Sequence, residues 1–161
     1  MILGIGGVAG HCYVGMPRGY PGDKHRAGLA QNLSAVTAAC AIVRRSVFEQ
    51  VGGLDESLVV AFNDVDFCIR VREAGYRNLW TPFAELYHHE SASRGYENTP
   101  EKIERFKREE AFMKNRWKDQ LHRDPYYNVN FTLVAAPFTL AYAPRQQASN
   151  TVVVGKAESR S

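Results

Sequence analysis

Asp64 and Asp66 flank a single valine in AFNDVDFCIRVREAG (61–75), and Arg70 follows four residues after the second acid. Carboxylates at this spacing can do three different jobs. They can accept the free backbone N–H groups at a helix start, where a negative charge also suits the helix dipole. They can ligate a metal, or one of them can take a proton as a general base. Asp66 and Arg70 can also pair four residues apart on a helix surface, a contact worth about 0.3–0.5 kcal/mol when exposed.

Two other clusters could join them. YHHESASRG (87–95) places His88 and His89 side by side, then an acid, two serines and Arg94. Neutral imidazole is a common metal ligand, but adjacent residues of a strand point to opposite faces, so at most one histidine would face a given site. The bland alternative is a polar loop. VGGLDES (51–57) combines Gly52 and Gly53, which reach backbone conformations closed to other residues, with Asp55, a turn former. Such a segment can build one wall of a pocket.

The elements that must position these residues can be read from periodicity and punctuation. Residues 1–34 are rich in Gly, Pro and His and read as loops around a short opening strand. SAVTAACAIV (34–43) is small and β-branched and predicts a buried strand. RRSVFEQVGG then predicts a short helix, capped by Ser46 with Glu49 as its capping-box partner and stopped at Gly52-Gly53. The 61–75 segment predicts a helix ended by Gly75. YRNLWTPFAELYHH predicts two short strands broken at Thr81-Pro82. In NTPEKIERFKREEAFMKNRW, Thr99 is the cap, Pro100 the first helical residue and Glu101 a favourable first-turn charge. Ile103, Phe106, Met113 and Trp117 share about one face of that helix, as a core stripe would. After Trp117 the pattern fades, and 119–161 reads as an extended arm with a loose polar tail.

Bulk properties narrow the function classes. The chain has 161 residues, 45% hydrophobic, with a formal net charge of +3. That suits one domain with a real core. Charges of both signs are interspersed, and the basic helix KREEAFMKNRWK is too mixed for a nucleic-acid module. Cys12, Cys40 and Cys68 are far apart and include no CxxC pair, so no disulfide framework is implied. Cys40 and Cys68 are expected as small core residues. No apolar run approaches the roughly 20 residues that span a bilayer, and no signal peptide is recognisable at the start. A cytoplasmic protein, peripheral at the inner membrane face at most, is expected.

Taken together and in order, AVTAACAIVRRSVFEQVGGLDESLVVAFNDVDFCIRVREAGYRNLWTPFAELYHHESASRG (35–95) resembles the C-terminal half of family 2 glycosyltransferases, closest in flavour to the bacterial rhamnosyltransferase-like branch. The resemblance implies an α/β fold, the C-terminal part of a Rossmann-like GT-A domain with a mixed sheet and flanking helices. It implies inverting transfer of a sugar from a nucleotide-sugar donor to a hydroxyl of a glycan or lipid-linked acceptor, in surface polysaccharide synthesis, with Mg²⁺ or Mn²⁺ as cofactor. It makes Asp64 the base, with Asn63 where the family usually has glutamate. Thr37 and Ala38 match a donor–acceptor wall, Ala38 replacing a glycine. Gly53, Asp55, Asp66, Ser93 and Arg94 fall at substrate-binding positions, Asp66 more as helix structure than as a contact. His88, with His89 second, matches a histidine that can reach the metal.

No nucleotide-binding βαβ unit is read before Ala35, so residues 1–118 are expected to be the acceptor-side portion of such a domain and to be inactive alone. Its exposed sheet edge is expected to promote self-association. The main rival is a non-catalytic remnant that binds carbohydrate or a partner. A metal-dependent hydrolase built on Asp64, Asp66 and His88 is a weaker one.

Overall fold

The structure is a computed structural model and describes residues 1–89, 99–143 and 145. The chain mixes helices with small sheets and is of α/β class. The strands are β1 (Ile2–Leu3), β2 (Ala9–Gly10), β3 (Gln31–Leu33) and β4 (Asn78–Trp80). The α-helices are α1 (Arg45–Gln50), α2 (Asn63–Glu73) and α3 (Pro100–Trp117). In place of the single mixed sheet expected, the described strands form two antiparallel pairs. β1 lies against β2, and β3 against β4 with Asn32 opposite Leu79.

The opening strand exists because its chain can reverse at once. Gly4 takes φ +87°, and a Cβ there would stand 2.5 Å from the Leu121 carbonyl oxygen. Only glycine permits both the left-handed backbone and that approach. β1 buries Ile2 and Leu3 completely or nearly so.

The strand expected over 34–43 is not formed. β3 stops at Leu33, and 38–40 make a 3-10 turn whose cap is Thr37, the hydroxyl accepting from the Ala39 N–H at 3.3 Å. Helix α2 takes the hydrogen bonds that a neighbouring strand would have taken. The Val36 N–H donates to the Cys68 Sγ at 3.4 Å and the Ala38 N–H to Asp64 Oδ2 at 3.1 Å. Ser34 and Ala35 are buried, but Ile42 is fully exposed, and Cys40 is exposed rather than in the core.

Helix α1 begins at Arg45 with Arg44 as the flanking residue and no side-chain cap, so Ser46 lies inside the helix and the expected capping box is absent. At α2 the expected stop is fully formed. Gly75 has φ +87°, its N–H donates to the Arg72 carbonyl, and the Tyr76 N–H donates to that of Val71. These two bonds are the Schellman pair. α3 also starts as read: the Thr99 hydroxyl accepts from the Lys102 N–H, with Pro100 next. Of the two strands expected around Thr81-Pro82, only β4 forms. Residues 82–89 hold no strand, and His88 and His89 are exposed.

The core lies between α2, α3 and the first residues of the chain. α2 contributes Val65, Cys68 and Ile69, at the i, i+3, i+4 spacing of one helical face. α3 contributes Met113 and Trp117, while Ile103 and Phe106 near its start are more than one-third exposed. Leu3, Val8, Ala35, Leu58 and Leu121 complete it. A fully buried side chain of this size stabilises the fold by about 1.5–3 kcal/mol. The segment after Trp117 lies against this body. Leu121, Asp124 and Tyr127 are buried, and Asp124 accepts from the Leu3 N–H at 2.8 Å and the Ser34 hydroxyl at 2.6 Å. No helix among the described residues is long and apolar enough to cross a membrane.

Candidate functional site

The head of α2 carries the candidate chemistry. Phe62, its flanking residue, has φ +64°, a left-handed conformation that is costly for a bulky side chain and needs its surroundings to hold it. Packing supplies part of that support, since the Phe62 ring lies 5.4 Å from that of Phe106 on α3. The next two residues, Asn63 and Asp64, are the first of the helix.

Asp64 is half-buried, and its two oxygens have separate partners. Oδ1 accepts from the Val65 N–H at 2.8 Å, one of the donors left free at a helix start. Oδ2 accepts from the Ala38 N–H at 3.1 Å. The structure therefore brings together two segments singled out in the sequence, the 37–40 turn and the acid at the head of α2. An ionised carboxylate has about four acceptor positions, and these bonds occupy two. The remainder can accept a proton or hydrogen bond from an outside group.

Asp66 is placed differently. It is fully buried, with Arg70 Nε and one terminal nitrogen both 2.8 Å from Oδ2. The Trp117 indole N–H donates to Oδ1 at 2.9 Å, and Arg116 Nε lies 3.4 Å from the same oxygen. The Asp66–Arg70 pair therefore lies inside the protein rather than on the helix surface. Arg70 also donates to the Val51 carbonyl at the end of α1. Asp66 and Arg70 thus tie all three helices together.

Gly53 and Asp55 lie in the loop from α1 to α2. Gly53 has φ +69°, and its N–H donates to the Phe48 carbonyl at 2.8 Å. Asp55 accepts from the Ser57 N–H at 2.9 Å and pairs with Arg116 of α3. The Ser57 N–H, aided by Arg116, holds the Asp55 carboxyl below its ordinary value of 3.8. Arg116 bridges Asp55 and the buried Asp66, so this loop is fastened to the helix junction.

Sequence reasoning missed two buried carboxylates. Glu109 is almost fully buried and receives three successive backbone donors, the N–H groups of Val59, Val60 and Ala61. A signal was present: Glu109 stands between Phe106 and Met113 on the apolar stripe of α3, where a core helix would carry an apolar residue. Asp124 stitches β1 to the end of β3, and its isolated position in HRDPYYN gave no such periodicity.

Ser93 and Arg94 lie outside the described residues. Among the described residues no three His, Cys, Asp or Glu side chains gather into a group able to hold a metal ion, so His88 and His89 do not form a cation site with described neighbours. Burial pushes the Cys68 thiol up, which suits its place in the core rather than a reactive role.

The sequence is 55% identical over 146 residues to the uncharacterized protein y4gI of Sinorhizobium fredii, a match covering 90% of this chain and 16% of that protein. It is 35% identical over 145 residues to the O-antigen biosynthesis protein RfbC of Myxococcus xanthus, covering 89% of this chain and 11% of the relative. Over 60 residues, 37% of the chain and 20% of the relative, it is 42% identical to the N-acetylglucosaminyl-diphospho-decaprenol L-rhamnosyltransferase of Mycobacterium tuberculosis. No family model and no solved structure matches. The chain thus spans between 11% and 20% of the length of these curated relatives.

Proposed function

We propose that this chain carries the acceptor-side wall and the base of a family 2, GT-A type glycosyltransferase. In this reading an acceptor hydroxyl attacks the anomeric carbon of a nucleotide-sugar. The new bond forms as the bond to the nucleoside diphosphate breaks, the hydroxyl proton passes to Asp64, and the anomeric centre inverts. The observation that carries the reading is the Asp64–Ala38 hydrogen bond of 3.1 Å. It joins a half-exposed carboxylate to the turn next to it and fixes where that carboxylate points, while leaving acceptor positions open. The names of the Myxococcus and Mycobacterium relatives support the same chemistry, with a surface glycan or lipid-linked sugar as acceptor.

The reaction calls for Mg²⁺ or Mn²⁺, which would stabilise the leaving diphosphate when bound. The described residues provide no donor set for that ion, so they are not assigned as its ligands. Donor binding is proposed to reside in protein outside these 161 residues. Given nucleotide-sugar, acceptor and Mn²⁺, the isolated chain is expected to release no nucleoside diphosphate above background, whereas the same chain joined to a nucleotide-sugar-binding half turns over. Robust turnover by the isolated chain contradicts this division of labour. Binding of glycans by calorimetry without any transfer in the joined protein would favour the non-catalytic alternative.

A further inference from the structure

The loop between α1 and α2, residues 52–62, ends at the residue before Asn63-Asp64; its first residues bond to α1 and the rest is fastened to α3. Asp55 is held by Arg116, and the Val59, Val60 and Ala61 N–H groups all converge on the Glu109 carboxylate. Phe62 follows immediately, in its left-handed conformation, with its ring against Phe106 one turn before Glu109. Three successive N–H groups aimed at one anion fix the backbone of that stretch. Buried at 3% exposure, the carboxylate has little solvent to replace these donors, and Arg105 Nε lies 3.9 Å from its Oε1.

We infer that Glu109 is a positioning residue for Asp64. By holding 59–61 it fixes the entry angle into α2, and with it the direction in which the Asp64 carboxylate meets Ala38. The Asp64 end of the site is thereby set from α3, 45 residues away in sequence. This inference rests on Asp64 being the base only for its bearing on catalysis; the geometric link stands separately.

Hydrogen exchange on the full 161-residue chain tests the link. Glu109→Gln keeps the shape but loses the charge and one acceptor oxygen. The Val59–Ala61 amides are expected to exchange at least tenfold faster, and the Ala38 amide, which donates to Asp64, is expected to follow. The amides of the α3 segment around Met113 keep their protection, and Glu109→Asp recovers part of the Ala38 protection. An unchanged Ala38 amide overturns the inference, as does uniform acceleration of every amide, which would mark a merely structural role. In the joined, transfer-competent protein, Glu109→Gln is expected to lower kcat with little change in the donor KM. If Asp64→Asn leaves transfer intact there while Ala38 still responds to Glu109→Gln, the base reading fails and the positioning link survives.

Discussion

Two aspartates separated by one valine have opposite fates, and the helix explains why. Residues two apart on a helix face different directions. Asp66 therefore turns inward to Arg70, Arg116 and Trp117, and Asp64 turns toward the 37–40 turn and the outside. Asp66 is thus a structural acid, and Asp64 keeps acceptor positions open to the outside. Asp66→Ala leaves Arg70 and the Trp117 N–H without their buried acceptor. Removing one partner of a buried pair typically costs about 3–5 kcal/mol. Chemical unfolding is expected to show a loss of that size, against well under 1 kcal/mol for an exposed pair. A loss in the exposed-pair range would show that the junction does not depend on this ion pair. The Asp66–Arg70 pairing was legible from spacing. Its burial was not, because burial depends on Trp117, 51 residues away.

Elements with strong local punctuation were the legible ones. α3 has Thr99 and Pro100 at its start, and α2 has Gly75 at its end; both formed as the local chemistry requires. Gly75 allows a clean measurement, since a Cβ there would meet nothing within 4 Å. Any cost of Gly75→Ala is then backbone strain in the left-handed region, about 1–2 kcal/mol. Thermal or urea unfolding should detect it, and a neutral substitution would mean that the last turn of α2 can rearrange without penalty. Where the sequence misled, tertiary partners outbid local preference. The β-branched run 34–43 reads as a strand, yet Cys68 and Asp64 of α2 capture its N–H groups at Val36 and Ala38. The second strand expected after Thr81-Pro82 does not form, and the β3–β4 sheet stays two-stranded among the described residues. The loop 52–62 was legible as a turn from its glycines, but its anchoring on Glu109 and Arg116 required the fold.

On the scale of the whole molecule, the apolar side chains outside the core bear on its behaviour in solution. Ile42, Phe83 and Val134 are between 86% and 100% exposed, and Leu79 projects at 64% from the two-stranded β3–β4 pair. Unpaired strand edges beside exposed apolar side chains favour association. Light scattering on the isolated chain is expected to show dimers or larger species; a monodisperse monomer at high concentration would contradict this. The most direct measurement on the proposed function concerns Asp64 itself. Sugar transfer should be measured with the chain joined to a nucleotide-sugar-binding half, before and after Asp64→Asn. The amide keeps one acceptor oxygen in place of two, so it can accept from Ala38 or from Val65 but not from both, and it cannot take the acceptor's proton. Transfer is expected to fall by about 10²–10⁴-fold while the unfolding midpoint of the chain is little changed. Transfer within about threefold of the parent would show that Asp64 is not the base.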